Sequence, residues 1–181
     1  MKSSRRGTVD PFIVMDVMEA ARQAEQSGRS IIHMEVGQPG TPAPKAARHA
    51  LASQLDQGEA MGYTVALGLP ELRQRIADLY QAWYGLELNP ERVVITPGSS
   101  GAFILAFSSL FDTGARVGIG APGYPSYRQI LKSLDLVPVD LPTSDAARLQ
   151  PVAADFATLD LQGLLVASPA NPSGTMLDRG A

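Results

Sequence analysis

At 181 residues, with 45% hydrophobic and 18% charged residues, the chain is long enough to bury a core and too apolar for a disordered or purely solvating protein. A net charge of −3 with basic residues scattered along the sequence argues against a nucleic-acid footprint. The apolar stretch 102–111 is broken by Ser108 and Ser109 and is too short to span a bilayer, so no membrane partner is expected.

The chain has no cysteine, which excludes a disulfide, a thiolate zinc site and a thiol nucleophile. Its two histidines, His33 and His49, are far apart in sequence, so no metal site is expected and both are read as packing or surface residues. Lys2, Arg5 and Arg6 form the one basic cluster, but Gly7, Thr8, Asp10 and Pro11 follow it in place of an apolar signal core, and a cytoplasmic location is expected.

In chain order, Asp10-Pro11 is an N-cap followed by proline at the first helical position. Ile13, Val17, Ala20 or Ala21, and Ala24 then recur at helical spacing, predicting an amphipathic helix over 11–27. A short β-prone run at 31–36 leads into a loop, 37–44, whose two glycines and three prolines exclude regular structure. A helix over 45–57 precedes a glycine-containing stretch, 58–68, that carries Tyr63. Pro70 opens a helix closed by Gly85, with Leu72, Ile76, Leu79 and Trp83 on one face.

From residue 93 strands and helices alternate. Strands are predicted at 93–96, 116–121, 137–141 and 164–167, and helices at 99–111 and 125–134, with a short helical segment near 152–159. This alternation predicts an α/β fold, a three-layer arrangement with a mostly parallel sheet and helices on both faces, whose ligands bind at the carboxyl ends of the strands.

Three loops follow predicted strands. Thr96-Pro97-Gly98-Ser99-Ser100-Gly101 aims backbone N–H groups and two hydroxyls at a helix N-terminus, a phosphate site in physical terms, although a serine N-cap in a tight turn reads the same way. It lacks the lysine of a triphosphate-binding loop. Tyr124 lies just past the strand at 116–121, where its ring could cover a flat ligand or simply pack. Asn171, within Ser168-Pro169-Ala170-Asn171-Pro172-Ser173-Gly174, ends the last strand and is by itself ordinary turn chemistry. Together these loops present amides, hydroxyls, an aromatic ring and an asparagine to one crevice. A competing signal, Gly118-Ile119-Gly120-Ala121-Pro122-Gly123 with Asp140 downstream, matches a dinucleotide fingerprint, but only Val117 stands where an apolar strand should precede the first glycine.

Gly37-Gln38-Pro39, Tyr63-Thr64-Val65-Ala66-Leu67-Gly68-Leu69-Pro70-Glu71-Leu72-Arg73, Thr96-Pro97-Gly98-Ser99-Ser100, Pro122-Gly123-Tyr124-Pro125 and Asn171-Pro172-Ser173-Gly174 resemble, in order, the motifs of class I/II aminotransferases. These are fold type I pyridoxal-phosphate enzymes similar to aspartate aminotransferase. The resemblance implies pyridoxal 5′-phosphate as cofactor and an amino acid and a 2-oxo acid as substrates. It also implies that Gly98, Ser99 and Ser100 hold the phosphate, Tyr124 stacks on the pyridine ring and Asn171 binds its phenolic oxygen. The same resemblance implies that Tyr63 reaches the phosphate of a neighbouring subunit in a homodimer and that Gly37 lies beside the substrate.

On the same resemblance, residues 1–44 form an N-terminal arm and part of a small domain, and 45–181 the N-terminal portion of a truncated large cofactor-binding domain. The family's Schiff-base lysine and most substrate-binding arginines follow the Asn-Pro-Ser-Gly motif, and none of Lys2, Lys45 and Lys132 stands at that lysine's position. The isolated chain is therefore expected to be inactive. The alternatives are a non-catalytic phosphate-binding or dimerisation module and an NAD-dependent oxidoreductase.

Overall fold

The computed structural model describes residues 4–178. Two compact units are present: Val14–Thr96 forms one, and the other joins the chain up to Ile13 with everything from Pro97 onward.

In the Val14–Thr96 unit, helix α1 (Ile13–Gln26, its first residue lying in the other unit) is followed by α2 (Lys45–Asp56) and α3 (Pro70–Tyr84). Proline opens α3 and Gly85 closes it at φ 65°, a left-handed conformation in which glycine carries no steric penalty. The helices match their predicted spans to within two residues at either end.

The predicted strands at 31–36 and 93–96 do not form. Ile32 and Met34 are 86% and 88% exposed, and no strand pairs with this run among the described residues, so its β propensity has nothing to act on. Residues 93–96 are held by other means: Ile95 donates its N–H to Leu67 O at 3.0 Å, and Arg73 donates to the carbonyls of Pro90 and Val93 at 2.9 Å each.

That use of Arg73 alters the predicted face of α3. The helix buries Arg73 and Ala77, while Leu72, Leu79 and Trp83 remain exposed. The guanidinium is 5% exposed and lies 3.2 Å from the Glu91 carboxylate, so its charge is met by two carbonyls and an acid.

The second unit carries the sheet. Helix α4 (Gly98–Leu110) leads to strand β1 (Arg116–Ala121), helix α5 (Pro125–Ser133), strand β2 (Val137–Pro142), a single turn α6 (Ala153–Phe156) and strand β3 (Gly163–Leu165). The strand order is β2-β1-β3, both pairings parallel, with Gly118 opposite Val139 and Leu164. Pro138 and Pro142 are tolerated because β2 is an edge strand.

Alternation along β1 divides its side chains between two faces. Val117 and Ile119 join Phe107 of α4 and Ile130 and Leu131 of α5 in the core, with Leu136 beside them. Each fully buried aliphatic side chain there contributes about 2 kcal/mol. The opposite face passes through Gly118 and Gly120: a Cβ on Gly118 would stand 2.9 to 3.2 Å from Leu161, Leu164 and Leu141, so the missing side chain is replaced by leucines from neighbouring segments. The α/β, parallel-sheet architecture is thus present, and no described helix is long and apolar enough to cross a membrane.

Gly68, at φ +95°, is the tightest backbone position of the Val14–Thr96 unit, because an added Cβ would stand 2.3 Å from Ile95 Cγ1 and 2.5 Å from its Cβ. Gly68→Ala should destabilise this unit by ~3 kcal/mol in denaturant unfolding, combining left-handed strain with overpacking. Gly62→Ala, with no neighbour within 4 Å, should change it by less than ~0.5 kcal/mol. Equal effects would contradict this packing.

Candidate functional site

Of the three loops singled out in the sequence, two follow β1 and β3 in the sheet-bearing unit, whereas the third, 96–101, runs into α4 and follows no strand, because 93–96 does not form one. After β1 the chain turns at Pro122 and Gly123, and a Cβ on Gly123 would come within 2.5 Å of Gly120 O, so the turn admits only glycine without moving. Tyr124 caps the start of α5. Its half-buried ring meets Phe12 edge-on at 6.2 Å and Tyr127 edge-on at 5.4 Å; Tyr127 in turn meets Phe103 of α4 at 5.1 Å. The ring expected to face a ligand is therefore oriented by an aromatic ladder running from the N-terminal segment to α4.

Asp10 helps to hold that segment. Its carboxylate lies 2.6 Å from Lys132 Nζ, and this hydrogen bond, with the ammonium charge, lowers the Asp10 pKa. Lys132 is thus engaged on α5, Lys45 opens α2, and Lys2 lies outside the described residues.

Gly98, Ser99 and Ser100 form the first turn of α4 and are exposed. Gly98 takes φ +76°, and the N-cap residue is Pro97, whose side chain makes no capping hydrogen bond. A helix start with two adjacent hydroxyls is a donor-rich end with a positive dipole, the chemistry a phosphate requires.

Asn171 lines a cavity at the ends of β1 and β3, together with Gly120, Pro122, Gly123, Tyr127 and Gln150. Its own loop is closed by Ala170 N–H donating to Thr175 O at 2.9 Å and Gly174 N–H donating to Ala170 O at 2.7 Å. The Ala121-Pro122, Ser168-Pro169 and Asn171-Pro172 peptide bonds are cis. Asn171 and the Pro122-Gly123 turn therefore border one cavity. Tyr124 does not line this cavity but touches Tyr127, which does, and Gly98 to Ser100 also lie outside it, on the helix that carries Phe103.

Gln150 had no signal in the local pattern. It is 3% exposed, and its amide Nε2 donates to Thr175 O at 2.8 Å and to Ala167 O at 3.3 Å, with Thr175 Oγ1 at 3.2 Å. Only the folded chain brings residue 150 under the 170–175 loop.

The dinucleotide reading fails on this geometry. Gly118 and Gly120 lie inside β1, where the missing Cβ makes room for packing, and Asp140 on β2 is paired with Arg128. A fingerprint needs its glycines after the strand, against a pyrophosphate.

Tyr63 and Gly37 belong to the Val14–Thr96 unit. Tyr63 is fully exposed and Gly37 lies in an exposed stretch. Just before Gly37, His33 stands between two carboxylates, Nδ1 2.7 Å from Glu35 and Nε2 3.0 Å from Glu25. The Glu35 hydrogen bond, then that of Glu25, raises its pKa to about 9.

The sequence matches the family "Aminotransferase class I and II" over residues 29–181. Over 174 residues it is 46% identical to the valine–pyruvate aminotransferase of Mycobacterium tuberculosis, covering 95% of this chain and 45% of that protein. Among solved structures, a provisionally assigned aminotransferase from Silicibacter pomeroyi superposes with TM-score 0.88 at 68% identity, over 100% of this chain and 46% of that one. An aminotransferase from Mycobacterium tuberculosis superposes with TM-score 0.92 at 44% identity, over 99% and 47%.

The fold is that of the fold type I pyridoxal-phosphate enzymes. The chain belongs to the class I and II aminotransferase family, whose members use pyridoxal 5′-phosphate, and it spans about half the length of the relatives it matches.

Because His33 has a folded pKa of about 9, above its ordinary 6.5, its paired charge stabilises fully below about pH 6.5. That contribution is lost as pH rises through about 9. The melting-temperature difference between the native chain and His33→Gln should be largest near pH ~6 and narrow steadily toward pH ~10. A difference independent of pH would contradict the pairing.

Proposed function

We propose that this chain supplies the phosphate- and ring-binding part of a pyridoxal-phosphate aminotransferase that moves an amino group between an amino acid and a 2-oxo acid. The observation that carries this reading is the exposed first turn of α4, with Gly98 at φ +76° and the hydroxyls of Ser99 and Ser100, in a family member whose Asn171 and Tyr124 follow the ends of β3 and β1. The donor set fits the cofactor: N–H groups and hydroxyls for a dianionic phosphate, a half-exposed aromatic face for a planar ring, and an amide for an oxygen.

In this role the first turn of α4 and its two hydroxyls bind the phosphate and fix the cofactor's position. The Tyr124 ring covers one face of the pyridine and keeps water from it. The Asn171 amide donates to the phenolic oxygen and sets the ring's rotation. Bound pyridoxal phosphate supplies an electron sink for bonds broken at the carbon that carries the amino group. Gly37, without a side chain, leaves room for that substrate, and the exposed Tyr63 reaches the phosphate site of a second subunit in a cytoplasmic homodimer. In the whole protein residues 1–44 belong to the arm and small domain, and 45–181 to the large domain.

The chain's own lysines do not serve as the Schiff-base group. Lys132 is committed to Asp10, and neither Lys2 nor Lys45 stands at the family position. These 181 residues are therefore read as holding the cofactor and not as forming its imine.

Titration of the chain with pyridoxal 5′-phosphate and with phosphate-free pyridoxal separates the contributions. The phosphorylated form should bind at least ~10-fold more tightly, and Ser99→Ala with Ser100→Ala should remove most of that difference, as expected for charge-assisted hydrogen bonds. Borohydride should leave no covalently fixed cofactor. Equal affinity for both forms would overturn the phosphate site, and a reduced adduct on Lys45 or Lys132 would overturn the assignment of a non-covalent cradle.

A further inference from the structure

Among the described residues, the buried polar side chains are Arg73 and Gln150. Arg73 serves the backbone at Pro90 and Val93. Gln150 serves the loop that carries Asn171, and three independent features make it more than a filler of space.

Its donors are spent on two segments that must keep a fixed relation if Asn171 is to point at a ligand. Ala167 O marks the chain just past β3, and Thr175 O lies on the far side of the Asn-Pro-Ser-Gly turn. One amide therefore spans the base of the loop, while Ser173 Oγ and Thr175 Oγ1, 2.8 Å apart, link the turn to the same point.

The backbone reaches this position at a cost. Arg148 and Leu149, immediately before Gln150, both adopt left-handed conformations, φ 53° and 57°, and neither is glycine. Pro151, immediately after, is buried and packs against the site where a Cβ of Gly120 would stand. The segment is thus forced inward so that residue 150 lies under the loop.

Finally, Gln150 lines the same cavity as Asn171 and the Gly123 turn. The amide must present its nitrogen, because Ala167 O and Thr175 O are both acceptors. A carboxylate of the same shape would face two carbonyl oxygens, and an apolar chain of the same length would leave both without their donor.

We propose that Gln150 is the positioning residue of the cofactor site, clamping Ala167 and Thr175 so that the Asn171 amide is held against the phenolic oxygen of pyridoxal phosphate. This rests on the cofactor reading given above. Gln150 touches neither substrate nor the reacting atoms in this role and acts through Asn171.

The test uses the 181-residue chain, its Gln150→Met, Gln150→Glu, Asn171→Ala and Gln150→Met/Asn171→Ala variants, and pyridoxal 5′-phosphate as the probe. Two properties are read: the dissociation constant, and the pH at which the absorption of the bound cofactor's phenol titrates. Amide hydrogen exchange without cofactor is followed at Gly174 and along β1.

Asn171→Ala should weaken binding about tenfold and raise the phenol pKa toward that of free cofactor, because a donor to the phenolate is gone. Gln150→Met should move both in the same direction by three- to tenfold in affinity, and the double variant should be no worse than Asn171→Ala alone. Exchange at Gly174 should accelerate by at least tenfold while β1 stays protected. Gln150→Glu should be the weakest binder at neutral pH and recover on acidification, when its protonated acid again donates.

Gln150 variants that leave affinity, phenol pKa and Gly174 exchange unchanged would overturn the proposal while the cofactor reading stands. Loss of β1 protection together with that of Gly174 would also overturn it, making Gln150 a residue of the fold alone. If the native chain does not bind pyridoxal phosphate, or Asn171→Ala has no effect, the cofactor reading fails and the assignment falls with it, whatever Gly174 exchange shows.

Discussion

The sheet-bearing unit depends on β1 being paired on both sides in parallel register. A central parallel strand must be covered on both faces, and β1 meets that demand unequally: Val117 and Ile119 reach into the helices, while Gly118 and Gly120 leave room for leucines and a proline from segments later in the chain. Because β1 and β3 run the same way, the loops after them emerge at one end. The Gly123 turn, Tyr124 and Asn171 owe their common address to that register, and no local contact among them is needed to create it.

The helices were legible in the sequence because their signals are local. Proline at the first position and a left-handed glycine at the end define α3, and Tyr124-Pro125 opens α5 in the same way. Strands are less local. Arg116–Ala121 forms because Val137–Pro142 and Gly163–Leu165 lie beside it, whereas Ile32 and Met34 have the right composition and no partner strand among the described residues. The apolar stripe of α3 misled for a different reason: the long guanidinium of Arg73 found two carbonyls and a carboxylate and drew its own side of the helix inward.

The candidate site divides along the same line. Glycine at 98 and 123, the serine pair, Tyr124 and Asn171 carry recognisable chemistry at recognisable spacing: Gly98 has a positive φ, Gly123 a close backbone approach, the serines lie in the first turn of α4, and Tyr124 and Asn171 follow strands. Gln150 lies twenty-one residues from Asn171 in a segment without a motif, and its role arises only when the chain after β2 folds back beneath β3. His33, read from the sequence as a packing or surface residue, is a half-exposed cation between two carboxylates, a pairing that depends on the C-terminal end of α1 approaching an irregular segment.

The central claim is that the first turn of α4, the Gly123-Tyr124 turn and the Asn171 loop act as one site for a phosphorylated planar ring. Amide chemical-shift mapping of the isotope-labelled chain during addition of pyridoxal 5′-phosphate tests it most directly. The account predicts that residues 98–100, 123–124 and 171 respond together with a single binding curve, ahead of the rest of the sheet. Shifts confined to one of these loops, or centred on the other unit, would contradict it.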